Sequence, residues 1–228
     1  MGQFSRPTRE RFLGAFSEPT PAQAGAWNAI SSGSHALVVA PTGSGKTLAA
    51  FLWALDRLLA SAPEAPEPVA AETPAKGKRA RAPKRKTRVL YISPLKALGV
   101  DVERNLRSPL IGITQTAKRL GLPAPLITVG VRSGDTPAAD RRALLSNPPD
   151  ILITTPESLF LMLTSKARET LTEVDTIIID EVHAVAGTKR GAHLAVSLER
   201  LDALLPKPAQ RVGLSATVEP KELVAQFL

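Results

Sequence analysis

A glycine-rich loop between an apolar strand and a long helix is the feature that most constrains how this chain folds. The loop reads Ala40-Pro41-Thr42-Gly43-Ser44-Gly45-Lys46-Thr47. Its glycines let successive backbone N–H groups point inward, and the helix that follows presents the positive end of its dipole. We therefore predict that residues 42–47 bind the phosphates of a nucleotide such as ATP, with Lys46 on the β- and γ-phosphates and Thr47 on Mg²⁺. A Gly-Ser turn beside an incidental lysine is the alternative.

Short apolar runs alternate with helical stretches along the rest of the chain. Candidate strands span residues 36–39, 88–92, 126–129, 150–154, 176–180 and 211–214. Candidate helices span residues 21–31, 46–60, part of 100–120, 137–145, 156–164 and 192–204, with a last one starting near residue 220. Nearly continuous apolar strands are typical of a parallel sheet buried on both faces. The pattern predicts an α/β fold with a doubly wound, mainly parallel sheet flanked by helices, and Pro109 is expected to break or kink the third helix.

Residues 61–87 depart from this pattern, with repeated Pro and Ala and no aromatic residue. Such a segment cannot bury enough apolar surface to offset the entropy lost on ordering. We predict a disordered basic insertion that loops out of one domain spanning residues 1–228. From Ser61 to Arg88, eight basic residues face three acidic ones, so +5 of the net charge of +8 lies there. The overall basicity is therefore weak evidence for a nucleic-acid groove, and the insertion is either solvated or in contact with phosphates.

Two adjacent carboxylates follow the apolar run TIII, at Asp180 and Glu181. A strand through the core would deliver both side chains to its carboxyl end, where the phosphate loop also lies. Asp180 is expected to hold Mg²⁺, directly or through water, and Glu181 to polarise the attacking water. Two incidental carboxylates at a buried strand end are the alternative. With Lys46, Glu181 forms the predicted catalytic pair of an ATP hydrolase.

Several motifs together resemble those of superfamily 2 DExH-box helicases. DEVH at residues 180–183 looks like the DExH box, and Ser-Ala-Thr at residues 215–217 resembles motif III. SPLKAL at residues 93–98 looks like motif Ia, and TTPESL at residues 154–159 looks like motif Ib. With KRGAHL at residues 189–194, these motifs are most similar to the large helicase-related family. The general phosphate-loop pattern begins with Gly, and superfamily 2 helicases commonly accept Ala, as at Ala40.

The resemblance implies a RecA-like domain and roles for residues that match its motifs. Ser215 and Thr217 would couple the nucleotide state to the nucleic-acid site, although a small-residue turn after a strand is the alternative. His183 would lie between the nucleotide site and a partner lobe, or would simply be a packed histidine. The family places nucleic acid across the loops of motifs Ia and Ib. Candidate contacts are Pro94, Lys96, Arg132, Thr155 and Arg190, with solvent exposure the alternative for the two arginines.

The stretch FSEPTPAQ at residues 16–23 looks like the helicase Q motif, in which a glutamine recognises adenine. Thr20, Pro21 and Gln23 also form a helix start, with Thr as the N-cap and Gln completing a capping box. The two roles of Gln23 are compatible. Trp27 and Trp53 fall on helices and are interpreted as packing residues.

The resemblance implies an ATP-dependent motor that moves 3′ to 5′ on single-stranded DNA, unwinds DNA or RNA:DNA duplexes and is linked to DNA repair. It also implies a second RecA-like lobe, with arginines that complete the ATP site, for which no room follows Thr217. We expect that lobe to belong to a longer protein. An RNA-directed helicase lobe, a nucleotide-dependent binding module and a different P-loop ATPase are the alternatives. No cysteine and no long apolar run is present, so we expect a cytoplasmic protein without thiolate metal sites or membrane contact.

Overall fold

In the computed structural model, the six strands of the described part of the chain form one sheet. The structure describes residues 1–61, 85–94, 96–124, 126–217 and 220–228, and of residues 96–100 it describes the backbone only. The strands are β1 Ala36–Val39, β2 Val89–Ile92, β3 Val129–Arg132, β4 Ile151–Thr154, β5 Thr176–Ile179 and β6 Gln210–Ser215. They lie side by side in the order β1-β6-β5-β2-β4-β3. Every pairing between neighbours is parallel, which confirms the predicted fold class.

Helices connect the strands. They are α1 Arg6–Leu13, α2 Pro21–Ser31, α3 Lys46–Ser61, α4 Lys96–Arg119, α5 Ala138–Ser146, α6 Pro156–Leu163, α7 Val182–Val185, α8 Lys189–Asp202 and α9 Lys221–Ala225, with a 3-10 helix at Lys166–Thr170. One buried cluster packs helices α1, α2, α3 and α4 against the sheet. A second cluster packs α6, α7 and α8 against it. Because apolar residues of the central strands point into both clusters, the strands are apolar along their whole length. None of the described helices combines the length and apolar character needed to cross a bilayer.

The amino-terminal helices pack through aromatic side chains. Trp27 is buried, its ring meets those of Phe4 and Phe12 edge to face, and its indole N–H donates to the carbonyl of Ala49 at 3.0 Å. Trp53 also packs edge to face against Phe4. Both tryptophans therefore serve as packing residues, as predicted.

Three sequence-based predictions need correction. The strand expected at residues 126–129 lies instead at Val129–Arg132, because the side chain of Asp150 binds both the N–H and the hydroxyl of Thr128, and pairing with β4 starts one residue later. Of the break or kink expected at Pro109, the break is wrong, because α4 continues from Lys96 to Arg119, and a kink stays a prediction. Buried side chains on both sides of the proline, Leu106 and Ile113, hold the helix against the core.

The boundaries of the predicted insertion were also wrong. Ser61 is the last residue of α3. Thr87 is buried, and its hydroxyl donates to the carbonyl of Pro149 at 2.9 Å while its N–H donates to the carbonyl of Thr170. Residues 62–84 of the predicted disordered segment lie outside the described residues.

Candidate functional site

The phosphate loop occupies the connection between β1 and α3, as the sequence predicts. Gly43 and Gly45 both have φ of +83°, in the left-handed region that favours glycine. A Cβ atom on Gly45 would lie 2.4 Å from Nε2 of Gln23, whereas a Cβ on Gly43 would meet nothing within 4 Å. The backbone conformation therefore favours glycine at both positions, and a side chain at Gly45 would also displace the amide of Gln23.

Lys46 is buried at the start of α3 and turns back into the loop. Its Nζ donates to the carbonyl oxygens of Ala40 at 2.5 Å and Pro41 at 2.9 Å. The hydroxyl of Ser44 is buried and has no hydrogen-bond partner among the described residues. The hydroxyl of Ser44 therefore lacks an acceptor in the part of the chain that the structure describes, and an unpartnered buried polar atom is costly in a folded protein. This hydroxyl and the buried amine of Lys46 both fit a loop that binds an anionic ligand.

The segment before α2 is attached to this loop. Thr20 and Gln23 form the predicted capping box: the Thr20 hydroxyl accepts from the Gln23 N–H, and Oε1 of Gln23 accepts from the Thr20 N–H at 3.0 Å. The Thr20 hydroxyl also donates to the carbonyl of Ser44 at 3.0 Å, and Nε2 of Gln23 lies 3.5 Å from the carbonyl of Gly45. The capping role of Gln23 is confirmed, and its adenine contact stays a prediction.

Asp180 lies buried where β5 ends and is held by two hydrogen bonds. Its Oδ1 accepts from the N–H of Glu181 at 2.9 Å, and its Oδ2 accepts from the hydroxyl of Tyr91 at 2.5 Å. Tyr91 comes from the neighbouring strand β2 and stacks on Phe51 of α3. Burial, and then the charge of Asp180, raise the pKa of Tyr91 above its ordinary value, so the phenol stays a hydrogen-bond donor.

Sequence reasoning missed Tyr91. It lies inside the fully buried strand β2. A buried tyrosine hydroxyl requires a partner, and this requirement is the signal that could have found it. The identity of that partner depends on the pairing of β2 with β5, which the sequence does not give.

Glu181 and His183 connect the acidic pair to motif III. Glu181 adopts a left-handed conformation, with φ of 48° and ψ of 43°, and its Oε2 lies 3.1 Å from Nε2 of His183. Nδ1 of His183 lies 3.1 Å from the hydroxyl of Ser215 and accepts from the N–H of Ala216 at 3.3 Å. Ser215 and His183 are thus brought together, while Thr217 is exposed.

Loop and carboxylates share one cavity of about 590 Å³. Thr42 and Thr47 of the loop line it together with Asp180 and Glu181. The hydroxyl and carboxylate oxygens in this set suit Mg²⁺, which proteins usually bind through one or two carboxylates while nucleotide phosphates and water complete the coordination shell. The described residues contain no cluster of three or more His, Asp or Glu that would form a metal site without a nucleotide.

Most of the predicted nucleic-acid contacts follow strands at the same edge of the sheet. Pro94 and Thr155 follow β2 and β4 and are buried, and Arg132 is the last residue of β3. The hydroxyl of Thr155 accepts from the N–H of Ser158 at 3.3 Å and caps α6. Lys96 begins α4, and its side chain lies outside the description. We call this set, with Arg190, the edge surface.

The two arginines of the edge surface differ in their surroundings. Arg132 is partly buried, which lowers its pKa, and the nearby charge of Arg141 lowers it further. Arg190, at the start of α8, forms a two-pronged ion pair with Glu157 of α6, at 2.5 and 3.0 Å. This pair raises the pKa of Arg190 and lowers that of Glu157. An incoming phosphate at Arg190 would therefore compete with Glu157.

Comparison with known proteins gives consistent matches. Residues 20–225 match the DEAD/DEAH box helicase family. The Lhr helicase/probable uracil glycosylase of Mycolicibacterium smegmatis is 68% identical over the whole chain, which covers 14% of that relative's length. The ATP-dependent helicase Lhr-Core protein 2 of Thermococcus barophilus is 44% identical over 97% of the chain, which covers 24% of that relative's length. The chain thus spans between a seventh and a quarter of these two relatives.

Solved structures agree with these matches. Mycobacterium smegmatis helicase Lhr bound to single-stranded DNA and AMP-PNP is 67% identical, with a TM-score of 0.87 over the whole chain and 26% of the solved one. Mss116p bound to single-stranded RNA and AMP-PNP shares the fold, with a TM-score of 0.75 at 18% identity over 99% of the chain and 40% of the solved one. The predicted resemblance to the large helicase-related family is confirmed.

Proposed function

Because this chain belongs to the DEAD/DEAH box helicase family, we propose that it is the ATP-binding lobe of an ATP-dependent helicase. The observation that carries the proposal is the single cavity that joins Thr47 of the phosphate loop to Asp180 and Glu181. A phosphate loop alone is compatible with many nucleotide-binding proteins. Its juxtaposition with a metal-binding carboxylate and a second, activating carboxylate favours hydrolysis.

Each side chain has a distinct role in this proposal. The loop N–H groups and Lys46 bind the phosphates, with Lys46 leaving the carbonyls of Ala40 and Pro41 for phosphate oxygens. Thr47 and Asp180 hold Mg²⁺, which neutralises charge on the phosphates. Tyr91 fixes the orientation of Asp180 through its hydroxyl. Glu181 orients and polarises the attacking water, and Gln23 contacts adenine while capping α2.

His183 and Ser215 form the coupling path between hydrolysis and nucleic acid. His183 contacts the carboxylate of Glu181 through one ring nitrogen and the start of motif III through the other. A change in what Glu181 contacts would therefore alter the position of the segment that follows β6. Thr217, which is exposed two residues after Ser215, would transmit that change to a second lobe.

Single-stranded DNA is the proposed partner of the edge surface. The support is the similar Mycobacterium smegmatis helicase, whose structure holds single-stranded DNA and AMP-PNP. Backbone groups near Pro94 and Thr155, with Lys96, Arg132 and Arg190, would contact phosphates and thus bind without base specificity. Action 3′ to 5′ on DNA and RNA:DNA duplexes, a link to DNA repair, a second RecA-like lobe and a cytoplasmic location are proposed from the family resemblance.

A measurement of single-turnover ATP hydrolysis by the chain distinguishes the proposed function from that of a module that only binds nucleotide. We expect Mg²⁺-dependent single-turnover hydrolysis that the Glu181→Gln variant slows by roughly 10²- to 10⁴-fold, the typical contribution of a general base. Nucleotide affinity should be unchanged in that variant. Equal rates for both proteins would favour the binding module instead.

Adding the oligonucleotide dT20 tests the need for a second lobe. We expect dT20 to stimulate hydrolysis little, because the arginines that complete such sites come from the second lobe in the family. Rapid, Glu181-dependent turnover by this chain alone would refute that part of the proposal.

A further inference from the structure

We propose that a groove between α1 and α4 is a second nucleic-acid surface, which binds the phosphates of a strand apart from the edge surface. This inference rests on the proposed function, because it assumes that nucleic acid is a partner. The groove has a volume of about 730 Å³. It is lined by Arg11, Arg104, Arg107, Ser108, Ile111, Gly112, Gln115, Thr116 and Arg119. Four of these residues are arginines, and none of these lining residues is acidic.

The cations follow one face of α4. Arg104, Arg107 and Arg119 are all exposed, and the first and last are fifteen residues apart in one helix. At a rise of 1.5 Å per residue this separation is about 22 Å, the length of roughly six stacked nucleotides at 3.4 Å each. The row of guanidinium groups therefore matches the length of a short strand.

Neighbouring carboxylates only partly neutralise this row. Arg107 pairs with Glu103 at 2.5 Å, and Arg119 pairs with Glu10 at 3.3 Å. Glu10 is shared with Arg6. Such exposed pairs contribute little stability, so phosphates can displace them at small cost.

Arg11 provides an independent observation. Gly112 of α4 faces this side chain so closely that a Cβ atom on the glycine would lie 1.9 Å from Nε of Arg11. That Nε is buried and has no hydrogen-bond acceptor among the described residues. This Nε is closed off from solvent, so the contribution of Arg11 to the groove that it lines is a guanidinium charge without an ion-pair partner among the described residues.

The lining favours a nucleic-acid backbone over an acidic protein segment. Ile111 is its one large apolar side chain, and none of the residues lining the groove is aromatic. Protein partners usually bury an apolar centre, whereas nucleic-acid interfaces are more polar and more positively charged. Without an aromatic side chain on which bases could stack, the groove would contact the phosphates and not the bases.

Salt dependence of DNA binding tests the proposal. The affinity of the chain for fluorescein-labelled dT20 is measured by anisotropy from 50 to 200 mM NaCl, for the wild type and for the variant Arg104→Gln with Arg107→Gln. Each lost contact with a single strand lowers the salt slope by about 0.7, so the slope should fall by about 1.4. The effect of salt over this range then shrinks about 7-fold. Arg119→Gln alone should lower the slope by about half as much.

Two further double variants make the test specific. Arg142→Gln with Arg168→Gln removes the same charge from exposed positions outside the groove and should leave the slope unchanged. Arg132→Gln with Arg190→Gln weakens the edge surface. Thermal unfolding of each variant confirms that it is folded.

The outcomes separate this inference from the proposed function. If the salt slope of the groove variants is unchanged and the edge variant loses binding, the groove does not bind nucleic acid and the proposed function is retained. If the slope of the groove variants falls and the edge variant binds like the wild type, the groove binds nucleic acid and the proposed edge surface is contradicted. Absence of any dT20 binding by the wild type overturns both. An equal loss of affinity for poly-L-glutamate would indicate a general polyanion surface and overturn the assignment to nucleic acid.

Discussion

Alanine at Gly45 should destabilise the chain more than alanine at Gly43, although both glycines have φ of +83°. The backbone cost is the same at the two positions, about 1–2 kcal/mol for a side chain in the left-handed region. At Gly45 the new Cβ would also lie 2.4 Å from Nε2 of Gln23, while at Gly43 it would meet nothing within 4 Å. Gln23 is buried and must move.

Movement of Gln23 gives the expected magnitude. Its Oε1 accepts from the Thr20 N–H at 3.0 Å, and its Nε2 lies at the limit of hydrogen bonding from the carbonyl of Gly45. Losing the first of these bonds costs about 1 kcal/mol. We therefore expect Gly45→Ala to lower the free energy of unfolding by about 2–3 kcal/mol and Gly43→Ala by about 1–2 kcal/mol.

Urea unfolding of six proteins isolates the contact between residues 45 and 23. Wild type, Gly45→Ala, Gln23→Ala and the double variant form a double-mutant cycle, and Gly43→Ala in both backgrounds is the matched control. In the Gln23→Ala background the extra cost at Gly45 should vanish, which gives a coupling free energy of about 1 kcal/mol. Equal costs at the two glycines, or an excess cost at Gly45 that persists without Gln23, would show that the contact with Gln23 does not cause the difference.

Titrations of two side chains provide further tests. Tyr91 is the one tyrosine of the chain, so absorbance reports on it alone. While the protein is folded, we expect no tyrosinate near pH 10. Tyrosinate at that pH in the folded state would contradict the hydrogen bond from Tyr91 to Asp180. Because folding raises the pKa of Tyr91, the stability that the neutral phenol contributes is complete below pH 10 and is lost as the pH rises above 10. Tyr91→Phe should remove this pH dependence. It should also lower the free energy of unfolding by about 1.5–3 kcal/mol, because Asp180 loses a hydrogen-bond donor. The pKa of Glu157 is lowered from 4.5 by Arg190, so this ion pair stabilises above that pH and is lost as pH falls through the lowered value. Urea unfolding between pH 3 and 6 should show that Glu157→Gln removes less than about 1 kcal/mol, and that the exposed control Glu173→Gln removes none.

The sequence predicted the elements whose signals are local. Glycine spacing placed the phosphate loop, apolar strands predicted a parallel sheet, and two adjacent carboxylates after such a strand predicted Asp180 and Glu181 at its end. The capping box of Thr20 and Gln23 also depends on residues three apart. Each of these features follows from the chemistry of a few neighbouring residues.

Features that depend on distant pairings were missed. The bond from Tyr91 to Asp180 joins residues 89 apart, and the pairing of Arg190 with Glu157 joins residues 33 apart. Both depend on which strands or helices become neighbours. Helix α1 was missed as well, since it contains several charged residues and few apolar ones. The start of β3 was misjudged because a side chain, that of Asp150, replaces a backbone partner at Thr128.

Calorimetric titration of the chain with AMP-PNP, with and without Mg²⁺, tests whether residues 42–47 bind the phosphates of a nucleotide. We expect binding that Mg²⁺ strengthens, that Lys46→Ala greatly weakens and that Glu181→Gln preserves. Lys189→Ala, a change at an exposed lysine, is the matched control and should bind like the wild type. No binding by the wild type, or binding indifferent to Lys46, would contradict the assignment of residues 42–47 as the phosphate-binding loop.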